Sequence, residues 1–111
     1  MRIYGAPDGA VYVNAISARN GVNVDGHVYQ LVAGATQQEL SFQLGPVKEA
    51  GLNGCQNEGV IAALIHRLGV LNKAFPCREN SIAITHLETA LLWLEKRTAD
   101  RAKRGVEGLN L

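Results

Sequence analysis

The chain has 111 residues, 47% of them hydrophobic, and its eleven basic and ten acidic side chains leave a net charge of +1. A chain of this size supports one modest core and leaves much of its surface exposed. A single domain over 1–111 is therefore expected, with oligomerisation as a natural source of further burial. The small net charge excludes a general attraction for long nucleic acid, and no apolar run is long enough to suggest a membrane span.

Residues 1–50 read as a β part. A short strand is expected at Arg2-Ile3-Tyr4. The run Ala10–Ile16 is rich in β-branched and aromatic residues, and His27–Val32 is a second such run. Glu39–Leu44 alternates polar and apolar side chains, the period of a half-buried strand. Pro7-Asp8-Gly9, Asn20-Gly21, Asp25-Gly26 and Ala33-Gly34 are the turn candidates between these runs. The simplest assembly is an antiparallel meander of three or four strands, closed by Gly45-Pro46, since proline cannot donate to an inner ladder.

Residues 51–111 read as a helical hairpin. Asn53 is a candidate N-cap, with Gln56 three residues later completing a capping box. Val60, Ile61, Leu64, Ile65, Leu68 and Leu71 then recur at helical spacing. Gly69 weakens the end of this first helix, and Asn72–Pro76 is the expected loop. A second helix is predicted from near Arg78 to Lys103 or Arg104, with Ile84, Leu87, Leu91 and Leu94 on its packing face and Gly105 as its stop. At 1.5 Å per residue it is about 38 Å long, more than its own hairpin partner needs. The expected fold class is α+β: a β-meander followed by a two-helix antiparallel hairpin.

Basic charge concentrates where the second helix ends. Arg97, Arg101 and Arg104 stand at i, i+4 and i+7 and share one face, with Trp93 one turn earlier on the same stripe. Arginine forks bind phosphate oxygens in pairs and stack on purines. Cations at a helix C-terminus also complement the macrodipole, and Glu95 and Asp100 are available to pair with them. From the residues alone this second account is the stronger.

Two other segments open helices. Phe75 lies in the hairpin loop and Asn80 begins the second helix, where free N–H groups suit an anion and an aromatic ring suits a base. The competing account makes Phe75 a cap on the core and Asn80 a helix-start residue. Asn53–Glu58 opens the first helix, and Gly54 there would let a ligand approach the backbone; a plain capped helix start is an equal alternative.

Cys55 and Cys77 fit no C-x-x-C pattern, and no secretory leader is recognisable, so free thiols in a reducing cytosol are expected. Cys55, His66, Cys77 and His86 match no familiar zinc spacing, so no metal or cofactor is expected. His27 reads as a strand residue at the surface or lining a pocket. No nucleophile motif or phosphate-binding loop is present, and nothing argues for catalysis.

The segments GLNGCQNE, PCREN and A-x-T-x-L-E-x-A-x-x-W-L-E-K-R-T-x-D-R-x-x-R-G, spread over Gly51 to Gly108, resemble the hairpin domain of two phage anti-defence families. One family, the Thoeris anti-defence sponges, sequesters glycocyclic ADP-ribose signals. The other, the anti-CBASS sponges, sequesters cyclic oligonucleotides. The strand-rich first part favours the Thoeris type.

The resemblance implies a non-enzymatic binding protein in the cytoplasm of an infected bacterial host. It makes Arg97, Arg101, Asn80 and Phe75 the expected ligand contacts, reversing the order of the two accounts of the arginines. It also leaves open a second cyclic-nucleotide pocket at Gly54, Asn57 and Arg104, for cyclic di- or trinucleotides. Asn80 and Arg97 are seventeen residues apart, about 25 Å along one helix, too far for one such ligand to bridge. A homodimer is therefore expected, the loop of one chain set against the basic end of the other, with a hexamer as a trimer of dimers still open. A small nucleic-acid-binding regulator and a purely structural interaction module presenting Trp93 are the rival readings.

Overall fold

A computed structural model describes residues 1–105. The last part of the Gly51–Gly108 resemblance lies outside the described residues. The chain forms two compact units, Met1–Cys55 and a second that begins at Gln56.

The first unit is a four-stranded antiparallel sheet in sequence order, β1 (Arg2–Gly5), β2 (Val11–Arg19), β3 (Val22–Ala33) and β4 (Thr36–Ser41). Together with the helices of the second unit it makes the α+β fold that the sequence predicts. Asn20 (φ 51°) and Gly21 (φ 78°) form the two-residue turn between β2 and β3, as the hand of a hairpin requires.

The second candidate turn in this region behaves differently. Asp25-Gly26 does not reverse the chain, because β3 runs through it. The register moves from Ala18↔Asn23 to Ile16↔Val28, so β3 carries extra residues there. Gly26 takes φ 83° inside that irregularity, a conformation that side chains other than glycine resist. The expected strand His27–Val32 is therefore the later part of one longer strand that begins at Val22.

Ala15, Val24, Val28 and Val32 are the buried apolar residues of the sheet. Tyr29 packs edge-on against Phe42, with ring centroids 5.8 Å apart. Arg19 on β2 pairs across β3 with Glu39 on β4.

The segment after β4 is held by a compact hydrogen-bond knot. Phe42 and Cys55 form a parallel bridge, with Gln43 N donating to Cys55 O at 2.8 Å and Cys55 N to Ser41 O at 2.9 Å. Asn53 Oδ1 accepts from Leu44 N at 2.8 Å, and Asn53 Nδ2 donates to Leu44 O at 2.7 Å. Gln43 Nε2 donates to Gly51 O at 2.7 Å, and its Oε1 accepts from Asn53 N. A short helix, α1 (Val47–Ala50), sits inside the loop so tied.

This knot corrects the predicted start of the hairpin. Asn53 is not an N-cap, because its amide is spent on the Leu44 backbone. The helix α2 (Asn57–Ala74) begins four residues later, with Gln56 at its N-cap and no side-chain capping bond.

The second unit is the hairpin of α2 and α3 (Arg78–Lys103), joined by Phe75–Cys77. Two polar contacts fix its antiparallel sense. Asn72 Nδ2 donates to Ser81 Oγ at 3.0 Å near the loop, and Thr98 Oγ1 reaches Glu58 Oε2 at 3.5 Å near the open end. Asn72, expected in the loop, is helical instead, since α2 runs through Gly69 to Ala74. Asn72 Oδ1 accepts from Cys77 N at 3.0 Å, and Cys77 Sγ accepts from Asn80 N at 3.4 Å, capping α3.

The packing seam of the hairpin is visible in the burial along each helix. Ile61, Ile65, Leu68 and Asn72 are half-buried on α2; Ile84, Leu87, Leu91, Leu94 and Thr98 are half-buried on α3. Steps of three and four residues place each set on one stripe, the spacing of knobs-into-holes packing. The seam is narrow, so Leu64, Val70, Phe75, Leu92 and Trp93 remain exposed.

Candidate functional site: a basic groove on the last turns of α3

Six residues over about the last three turns of α3 gather at one surface. Trp93, Arg97, Arg101 and Arg104 line one groove of about 600 Å³, together with Lys96 and Asp100. The i, i+4, i+7 spacing read from the sequence therefore does bring the three arginines and the indole to one surface.

The arginines are not equivalent. Arg101 follows Leu94 by seven residues and Thr98 by three, so it continues the buried stripe of α3 and is only 9% exposed. Arg101 is also engaged within the folded chain. Arg97 and Arg104 are exposed, and Trp93 is 66% exposed. The groove thus has a buried inner cation and exposed outer ones, with an apolar ring at one end. Long arginine stems cover apolar surface while their heads stay in water, which keeps the outer pair available to a ligand.

Lys96 and Asp100 are the residues that the stripe argument passed over. Lys96 Nζ donates to Asp100 Oδ2 at 2.8 Å, one turn apart on α3. The sequence pairs Asp100 with the basic cluster in general; it is the i, i+4 spacing from Lys96 that fixes the partner. Glu95 does not join them and instead lines a separate apolar hollow with Ile65, Glu88, Leu91 and Leu92.

The groove is rich in hydrogen-bond donors and positive charge. Lysine and arginine offer only donors, and four of them converge here on a site with one carboxylate among its described lining residues. Guanidinium groups meet phosphate oxygens in pairs, and an indole face accepts a stacked base. The helix itself opposes this: α3 ends with Arg104 N donating to Asp100 O, so its negative pole lies at the groove and the side chains carry all of the attraction.

The remaining expected residues lie elsewhere. Phe75 is in the hairpin loop and 79% exposed, so it does not cap the core. Asn80 is half-buried in the first turn of α3, with its backbone N–H on Cys77 Sγ. Both stand at the opposite end of α3 from the groove. Asn57 is the first residue of α2.

Gly54 belongs to the sheet unit, where an internal contact explains why it is glycine. A Cβ there would meet Phe42 C and O at 2.6 Å. His27 is likewise engaged internally, its Nδ1 lying 3.0 Å from Gln43 O. Cys55 and Cys77 are free, exposed thiols. Among the described residues no cluster of three His, Cys, Asp or Glu side chains is placed to hold a metal ion. No described helix is long and apolar enough to cross a membrane.

The second unit is thus a helical hairpin whose last helix carries an open, arginine-lined groove. The Acb2/Tad1 hairpin domain matches residues 36–99, more than half of the chain, and the chain belongs to that family. The protein Thoeris anti-defense 1 of Bacillus phage SBSphiJ7 is 60% identical over 70 residues, which are 62% of this chain and 49% of that protein. The chain therefore spans about half the length of the curated relative it matches. The matched region takes in β4, the tied loop, α2 and most of α3, including Arg97.

Proposed function

We propose that this chain is a phage anti-defence sponge that binds cyclic ADP-ribose-type immune messengers, glycocyclic ADP-ribose above all, and holds them unmodified. The observation that carries the reading is the groove of Trp93, Arg97, Arg101 and Arg104 in a chain of this family. Arg97 and Arg101 bind the pyrophosphate or stack on adenine. Sequestration needs no catalytic group and no cofactor; it needs slow release. It would act in the cytoplasm of the infected host and starve the Thoeris effector of its signal.

One chain offers only part of such a site. Asn80 lies about 25 Å along α3 from Arg97 and Phe75 stands in the loop before that helix, so they join the same ligand only from a second copy. We propose a two-fold dimer in which the loop of one chain faces the basic end of the other, giving two identical pockets. Exposed Phe75, Leu92 and Trp93 supply apolar surface that such an interface would cover. A trimer of these dimers is the larger assembly in this scheme. Asn57 and Arg104 are then the candidates for a second pocket, taking cyclic di- or trinucleotides.

Calorimetric titration with glycocyclic ADP-ribose tests the reading. Tight binding near one ligand per chain, weakened in Arg97→Ala, is expected. No heat with this ligand, together with salt-sensitive binding to long polynucleotides, would replace the sponge by a nucleic-acid-binding regulator.

A further inference from the structure

The groove contains a carboxylate that anion binding alone does not call for. Asp100 lines it beside Lys96, Arg97, Arg101 and Arg104. A carboxylate repels phosphate, and an ionised one is an acceptor only. The four cations are donors only, so the surface is complementary to a ligand that carries both acceptors and donors.

We propose that Asp100 is the specificity-determining residue of this groove, selecting ribosyl phosphates over bare phosphate anions by accepting a hydrogen bond from a ribose hydroxyl. The proposal rests on the ligand reading above and names the chemical feature of the ligand that the site checks.

The Lys96–Asp100 pair has the properties this task needs. Both side chains are more than half exposed, at 62% and 51%, so the pair is screened and contributes little by itself. The lysine precedes the acid, the less favourable order for an i, i+4 pair on a helix. Asp100 therefore exchanges its lysine for a ligand hydroxyl at low cost. Lys96 in turn keeps the carboxylate facing the groove when the site is empty. Inorganic phosphate and pyrophosphate bring charge but no hydroxyl to satisfy Asp100, and they meet its repulsion. A ribosyl phosphate places diol hydroxyls a few bonds from its phosphates and satisfies both halves of the surface.

An account in which Asp100 merely relieves repulsion among its basic neighbours makes a different forecast, and binding by paired probes separates the two. ADP and 2′,3′-dideoxy-ADP share base and diphosphate and differ only in the ribose hydroxyls; inorganic pyrophosphate lacks the sugar altogether. The full-length protein should prefer ADP over the dideoxy form by about tenfold or more, the size of a hydrogen bond to a charged group. Asp100→Ala should erase that preference while binding pyrophosphate more tightly. Asp100→Asn keeps an oxygen acceptor in place. It should retain part of the hydroxyl preference and still gain affinity for pyrophosphate, and its helical circular dichroism checks that the fold is intact.

A hydroxyl preference that survives in Asp100→Ala, or an equal gain for all three probes, overturns this assignment and leaves the ligand reading standing. Failure of the wild-type protein to bind any of the three probes or glycocyclic ADP-ribose overturns both.

Discussion

Arg97 and Arg101 stand one helical turn apart on α3 and line the same groove, yet Arg101 lies in the buried stripe of the helix and Arg97 does not. The difference follows from spacing. Arg101 is in phase with Leu87, Leu91, Leu94 and Thr98, whereas Arg97 is in phase with exposed Trp93.

The two arginines should therefore separate in mutagenesis. Arg97→Ala is expected to weaken ligand binding by about 1.5–3 kcal/mol, the range for charge-assisted hydrogen bonds, with little change in thermal stability. Arg101→Ala should weaken binding and also lower the melting temperature, because Arg101 is buried and engaged within the folded chain. Titration calorimetry and thermal melts on the same preparations check both. Equal melting temperatures for the two variants would contradict the placement of Arg101.

Gly54→Ala should be destabilising for a reason unconnected to any ligand. The added methyl would lie 2.6 Å from the Phe42 carbonyl carbon and oxygen, which are backbone atoms that cannot rotate away. A loss of about 1–3 kcal/mol is expected, the usual cost of overpacking. Urea unfolding measures it. Wild-type stability in this variant would show that the Phe42–Cys55 bridge does not hold the chain as described.

Asn53→Ala removes two hydrogen bonds to the Leu44 backbone. The expected loss is about 1–2 kcal/mol, with faster amide exchange at Leu44 and Gln43. Were Asn53 a helix cap instead, the accelerated amides would be those at the start of α2.

Glu39 gives a pH dependence with a definite sign. Its hydrogen bond from Arg19 holds the carboxyl below the ordinary glutamate range. The ion pair's contribution to stability is therefore fully present above the unfolded value near pH 4.3 and is lost as the pH falls through the lower folded value. Glu39→Gln should be slightly less stable than wild type at pH 7, and the gap should close in strong acid. Because both side chains are exposed, salt should shrink it as well. A gap that widened on acidification would contradict the pairing.

The helices were legible in the sequence because their apolar residues keep one period, and the ends of α3 carry standard stops. Arg78 to Lys103 is recovered almost to the residue. The tied loop was not legible, for a physical reason: Asn53 followed by Gln56 satisfies the rule for a capping box, and only the proximity of Leu44 diverts the asparagine to another backbone. Asp25-Gly26 misled in the same way, since a turn and a bulge use the same glycine conformation and differ in what pairs on either side. In the site, the arginine stripe was legible from spacing alone. The burial of Arg101 was not, because it depends on which stripe of α3 faces inward.

A sponge holds its ligand and does not convert it. The most direct measurement loads the protein with glycocyclic ADP-ribose, removes the free ligand, denatures the protein by heat and chromatographs what is released. Recovery of the intact molecule, near one per chain, is the predicted result. Release of a cleaved or linearised product would make this chain an enzyme and contradict the account.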